Sequence, residues 1–311
     1  MPMKVLTIDE IIEKAFTTGD LASGGLLNPE QAAAFIRRLI DFTVVLREAR
    51  RVPMTAAKRL VEKIGFGSRI MQAATEGTAP STTHKPSTSK VELSVVEALA
   101  AVDVTYSALE DNIERQNLQQ TILDLIAERA ALDLEELALH GDTGDADTYL
   151  AMLNGFFKQA TSHVVNAGTT PISQEIFIDA LKALPAKYMR NPAEWRFYVH
   201  RNVELDYRNL LSERATGAGD RYLIENAPVF VGGVPVVFVP AIKSRASGPD
   251  TVSDALLVHP QNLIGGFHRD ITTELERKPR ARVIETTTTV RVDFKYEEED
   301  AVVKITNIKH L

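Results

Sequence analysis

Residues 64–142 read IGFGSRIMQAATEGTAPSTTHKPSTSKVELSVVEALAAVDVTYSALEDNIERQNLQQTILDLIAERAALDLEELALHGD, and they decide the fold. The order is strand, polar loop, strand, then one long helix that stops at a glycine. SRIMQAA (68–74) leads into a loop, Thr75–Lys90, in which half the positions are Ser or Thr and none is large and apolar. In the return segment Val91, Leu93 and Val95 alternate with Lys90, Glu92 and Ser94, the period-two pattern of a strand with one wet face. A two-stranded hairpin with so long a polar tip is marginal alone. It is expected to lie on another surface, and a copy of the same chain is the first candidate.

The helix that follows carries Leu118, Ile122, Leu125, Ile126, Leu132 and Leu139 in one row and Leu123, Ala127, Ala130, Leu134 and Leu137 in a second. Asp124, Glu128, Asp133, Glu135 and Glu136 fill the gaps. From Leu118 to His140 it would run about 35 Å, ending at Gly141 as a C-terminal cap. The average helix is about 12 residues, so this one reads as a structural beam.

The chain has 311 residues, enough for a sizeable core and for one elaborate domain or two. Its net charge of −7 argues against an electrostatic grip on nucleic acid. Cysteine is absent, which excludes disulfides, thiolate nucleophiles and cysteine-based metal sites. No apolar run approaches the roughly 18 residues of a membrane span. The N-terminus, MPMKVLTIDEIIEKAF, is amphipathic and lacks a signal-peptide core. A soluble, unexported protein with no membrane partner is expected.

Before the hairpin, Ile8–Phe16 suggests a short helix in an arm. Asn28-Pro29-Glu30 opens a second helix, QAAAFIRRLIDFTVVLREA, expected to end before Pro53. After the beam, Ser173 caps a helix that stops at Pro185. Asn191-Pro192 turns the chain into a strand, Trp195–His200, followed by a short helix. APVFVGGVPVVFVP reads as two strands around Gly232-Gly233, with Pro235 at an edge. KSRASGPDTVSD reads as a surface loop. The chain closes on TTTTVRVDFKY, a turn EEED and AVVKITNI, read as a terminal hairpin with Val290, Val292, Phe294 and Tyr296 on one face.

Sequence patterns that carry chemistry are missing. There is no phosphate-binding loop, dinucleotide fingerprint, nucleophile elbow or HExxH. The seven histidines show no ligand spacing. Asp142, Asp145 and Asp147 lack the spacing of a calcium loop and read as a solvated turn. Arg277, Lys278, Arg280 and Arg282 lie among Glu274, Glu276 and Glu285, which favours a salt-bridged face or subunit contact over a nucleic-acid patch. No catalytic residue, cofactor site or metal site is expected, and the chain is not read as an enzyme.

The order of these elements resembles the tailed-bacteriophage major capsid proteins, the Hong Kong 97-type capsid fold, from about Leu26 to Ile308. An arm and helix precede a polar-tipped hairpin. KVELSVVEALAAVDVTYSALEDN leads into the beam, which ends LEELALHGD. DALKALPAKYMRNPAEWRFYVHRNVELDYRNLL and NAPVFVGGVPVVFVP match the family's middle segment. The resemblance implies an α+β shell subunit with an N-terminal arm and helix (1–59), an extended hairpin loop (60–104), a peripheral domain with a long spine helix (105–195 and 271–311) and an axial domain (196–270).

It further implies self-assembly through pentamers and hexamers into an icosahedral shell, with the hairpin laid over a neighbour. The shell would enclose double-stranded DNA without binding it tightly or specifically. Synthesis in the host cytoplasm, a place in the virion capsid, a separate scaffolding protein and a portal are implied with it. Candidate subunit contacts are Phe66, Met71, Lys85 and Lys90 in the loop, Arg37 and Arg38 in the arm, and Arg214 and Arg221 near the axial tip. Lys–Asn cross-links, known in some relatives, are not expected here. The rival readings are an encapsulin-like compartment shell and an α/β enzyme with dispersed catalytic residues.

Overall fold

The structure, a computed structural model, describes residues 43–65, 69–71, 85–106, 118–212, 228–268 and 272–310. Two sheets organise these residues. The first contains β1 (Arg50–Met54), β4 (Val96–Thr105), β11 (Leu263–His268), β12 (Thr272–Lys278) and β13 (Val283–Tyr296). The 14-residue β13 is its centre. β11 and β12 pair with successive stretches along β13, and β4 pairs antiparallel with residues 283–292. β1 adds parallel to β11 at the edge, where Pro53 costs no ladder bond that the sheet needs.

The beam, α2 (Leu118–His140), packs on this sheet through Ala131, Leu134, Leu137, Ala138 and Leu139. They meet Ala98, Val290, Val292, Phe294 and Tyr296, with the one-turn helix α1 (Val45–Glu48) and α3 (Phe156–Gln159) closing the layer. Tyr296 lies within this core and donates its hydroxyl to the Phe156 carbonyl at 2.9 Å, which satisfies the one polar atom of that ring.

The second sheet runs β5 (Val164–Pro171), β14 (Val302–His310), β10 (Asp250–Val258), β6 (Arg196–Val199), β8 (Val234–Phe238), β7 (Phe230–Val231), with β9 (Ser244–Ser247) on β10. α4 (Gln174–Ala183) and α5 (Arg201–Ser212) cover it. Ser173 caps α4 by accepting the Ile176 N–H, and Asn191 caps the turn before β6 by accepting from Ala193. Phe177 stacks edge-on against Phe197 and Tyr207 at 4.8 and 5.0 Å. Burying each such ring stabilises the fold by about 1.5–3 kcal/mol.

Several readings of the sequence change. Of SRIMQAA, residues 69–71 lie in no strand and the others fall outside the described residues. The outgoing strand of the hairpin is β2, Lys58–Gly65, paired with β3, Ser87–Ser94; adjacent Leu60 and Val61 break the period of two in KRLVEKI, so the strand does not show as an alternation. The helix before the hairpin ends at Glu48, ahead of Pro53 as expected, and Pro53 lies in β1. KSRASGPD is a hairpin, with Gly248 at φ +63° between β9 and β10. The terminal hairpin is not a pair: β13 and β14 lie in different sheets, because β13 feeds the core under the beam through Val290, Val292, Phe294 and Tyr296 while β14 sends Val303, Ile305 and Ile308 into the second core. In the beam, Leu125 points outward at 59% exposure; the second apolar row, with Ile126 and Leu139, forms the buried face.

Candidate subunit-contact surface

The hairpin β2–β3 has a compact root. Val95 donates its backbone N–H to Ala57 at 3.0 Å, bridging the two chain crossings. Leu93 is fully buried among Val52, Met54 and Ile264. Gly266 makes the seat: a Cβ there would come within 2.8 Å of Met54 Sδ and 3.3 Å of Leu93 Cδ1. Ser94 donates its N–H to Asp293 Oδ2 at 2.7 Å. Arg59 bonds the Pro53 carbonyl, and Lys63 forms an ion pair with Glu298. All of these lie on the face that turns to the body.

The opposite face turns to solvent. Lys58, Leu60, Glu62 and Ile64 alternate along β2 and face Ser94, Glu92, Lys90 and Thr88 of β3 in register. Glu62 stands directly opposite Lys90 and Lys58 diagonal to Glu92; both ion pairs close at 2.8 Å. These partners push the Glu62 and Glu92 carboxyls below their ordinary values. Each charge on this face is therefore matched within the hairpin. Between the pairs Leu60 and Ile64 stand 52% and 70% exposed. A face of matched charge loses less when water is removed from it than one of unpaired charge, and its projecting aliphatics gain apolar burial.

The chain's similarity to known proteins agrees with this geometry. A profile of the phage capsid family matches residues 23–307. The chain belongs to the phage capsid family. It is 43% identical over 307 residues to the putative prophage capsid protein YqbE of Bacillus subtilis strain 168, covering 96% of this chain and 98% of that one. Among solved structures, this capsid chain superposes on the satellite phage P4 procapsid with a TM-score of 0.66 at 18% identity, over 96% of this chain and 94% of that one. The capsid of an empty GTA particle gives 0.63 at 16% identity, covering 86% and 90%. The holo-SrpI encapsulin complex of Synechococcus elongatus PCC 7942 gives 0.52 at 12% identity, covering 85% and 87%. The capsid chain is a structural protein of mixed helix and sheet with the fold of these shells.

Of the predicted contact residues, Met71 is 77% exposed, Lys85 is exposed and Lys90 is held by Glu62 on the outer hairpin face. Arg37, Arg38, Phe66, Arg214 and Arg221 lie outside the described residues. Sequence reasoning missed Leu60 and Ile64. KRLVEKI gives no signal for them, since Leu60 and Val61 are adjacent and nothing in the pattern separates the outward aliphatics from the inward one.

Several polar groups that the sequence brings forward have local duties. Asp142, Asp145 and Asp147 accept the N–H groups of Gly144, Asp147 and Tyr149, as in solvated Asx turns. Lys278 pairs with Glu285 on the neighbouring strand. His259 accepts from Gln261 and caps a 3-10 turn. Among the described residues no cluster of His, Cys, Asp or Glu has the geometry to hold a metal ion, and no helix is long and apolar enough to cross a membrane.

Proposed function

We propose that this capsid protein self-associates through pentamers and hexamers into an icosahedral shell around the double-stranded DNA of a tailed phage. The observation that carries this reading is the hairpin: a two-stranded sheet whose outer face presents Leu60 and Ile64 between matched ion pairs. Its occupant is a neighbouring subunit, as expected for a chain whose relatives are named capsids. Heterologous contacts of this kind close into rings when their rotation closes.

The proposed division is an arm and helix at 1–59, the hairpin at 60–104, a peripheral unit at 105–195 and 271–311, and an axial unit at 196–270. Several strands pair across this division: residues 302–310 with strands of the axial unit, residues 263–268 with those of the peripheral unit, residues 50–54 with 264–268, and residues 96–105 with 283–292. Met71, Lys85 and Lys90 at the hairpin, Phe66 in its loop, Arg37 and Arg38 in the arm and Arg214 and Arg221 near the axial tip are proposed subunit contacts. A net charge of −7 suits DNA held inside without tight binding. A portal, a packaging motor and a separate scaffolding protein would then supply filling and size control. No catalytic step is assigned. A compartment shell is the weaker reading, supported by fold likeness alone at 12% identity.

The test is gel filtration and particle sedimentation of the full chain, wild type against Leu60→Asp/Ile64→Asp. The wild type is expected in shell-sized or ring-sized species and the variant in smaller ones. Equal assembly of both would remove the hairpin from the contact. A wild-type monomer with or without co-expressed scaffold would remove the shell reading.

A further inference from the structure

Two carboxylates in this chain share an arrangement that packing does not require. Glu135 sits inside α2, fully buried. Its Oε1 accepts the backbone N–H of Val44 at 2.8 Å and that of Val45, and the Leu46 N–H also reaches the carboxylate. These are the first N–H groups of α1, the point where residues 1–42 join the described body. Among the described residues its Oε2 has no hydrogen-bond partner.

Asp293 sits on β13 at 3% exposure. Its Oδ2 accepts from Ser94, at the root of the hairpin, and its Oδ1 accepts from Phe294 at 2.9 Å. In both cases the partners are neutral N–H groups at the root of a segment, and among the described residues neither carboxylate is in an ion pair. The charges around Glu135 are Arg47 and Glu48 on α1 and Arg196 on β6, with the Tyr198 hydroxyl between. Arg196 and Tyr198 are both engaged by Glu48, at 3.3 and 3.0 Å. Around Asp293 the charged neighbour is Lys295, on its own strand.

A buried carboxylate held in no ion pair is costly to keep ionised. It stays acceptable only through the N–H groups aimed at it. We infer that Glu135 and Asp293 are charge-strained positioning residues for the root at Val44–Leu46 and the root at Ser94, and that neutralising either carboxyl locks its root in place. An amide oxygen at the same position accepts the same N–H groups without the buried charge.

Burial is the larger influence on both groups and pushes both carboxyls above their ordinary values, against the N–H bonds that pull them down. When a root opens to water its carboxyl returns to the ordinary value. The docked state therefore binds the proton more tightly. Docking is favoured as pH falls through the raised value and opening as pH rises. The inference concerns the subunit and stands whether or not the chain closes into shells.

The experiment is hydrogen–deuterium exchange of the full chain, corrected for intrinsic rates, for wild type, Glu135→Gln and Asp293→Asn between pH 5 and 8. At pH 7.5, Glu135→Gln is expected to slow exchange at residues 44–46 and leave residue 94 unchanged, with Asp293→Asn doing the reverse. Wild-type protection at both roots is expected to rise towards that of the variants as pH falls. Faster exchange in the amide variants, or wild-type protection that does not depend on pH, would overturn the inference. Should a variant fail to fold, the wild-type pH series decides alone.

Discussion

Gly155 donates its backbone N–H to the carbonyl of Gly141 at 2.7 Å, and neither residue has room for a side chain. A Cβ on Gly141 would lie 2.5 Å from the Leu153 carbonyl oxygen and 2.7 Å from that of Leu137. The beam therefore ends where two backbones touch; a left-handed glycine cap plays no part. Gly141→Ala is expected to cost about 3 kcal/mol, since backbone atoms cannot step aside. Urea unfolding of the subunit measures it, and a loss under about 1 kcal/mol would contradict the packing described.

The outer hairpin face makes a second prediction. Ile64→Asp leaves the subunit's own core untouched, because Ile64 is 70% exposed. Its thermal midpoint should stay near wild type, a surface change being worth within about 0.5 kcal/mol. Assembly should fall, because each aliphatic buried between copies is worth about 1.5–3 kcal/mol. Unfolding by circular dichroism beside particle yield separates the two effects. A variant that melts early and assembles normally would reverse the assignment of this face.

Glu62 and Lys90 offer a third. Glu62→Lys places like charges directly opposite each other in the ladder and should loosen the hairpin. Adding Lys90→Glu should restore the pair with its polarity reversed. Exchange rates over residues 58–65 and 87–94 are expected to rise in the single variant and recover in the double one. No recovery would mean the pair does not hold the strands.

His140 gives the pH dependence. It caps the beam, its Nε2 accepting the Lys243 N–H at 3.0 Å and its ring lying 5.1 Å from Phe157. Burial, with the Lys243 cation, lowers its pKa from 6.5 to about 4. The unfolded chain takes up the proton first. This contribution is complete above pH 6.5 and is lost as pH falls towards 4, a total of about 3 kcal/mol. His140→Gln keeps an acceptor and does not titrate. The stability gap between wild type and His140→Gln should therefore narrow as pH falls through that window. A constant gap would place a charged imidazole in the fold.

Local patterns made much of the fold legible. The beam from Leu118 to His140, the Ser173 cap and the Asn191-Pro192 turn depend on neighbours within a few residues, and all are where the sequence places them. Partner choice was not legible. β13 shows its buried face through Val290, Val292, Phe294 and Tyr296, but nothing local says that β14 belongs to another sheet. Likewise β1 is a parallel edge strand fixed by Ile264–His268, far along the chain. In the proposed contact surface, Lys90 lies on the outer hairpin face, opposite Glu62. Leu60 and Ile64 were missed because exposed aliphatics carry no sign of being exposed. Glu135 reads in sequence as one more acid on a wet helix face, and only the tertiary fold shows it buried against α1.

The most direct test of the account is cryo-electron microscopy of the particles this chain forms with whatever scaffold it needs. The account predicts a closed icosahedral shell in which residues 58–65 of each subunit lie on a neighbour with Leu60 and Ile64 buried. A chain that stays monomeric or dimeric, or a shell in which that face looks into solvent, would contradict it.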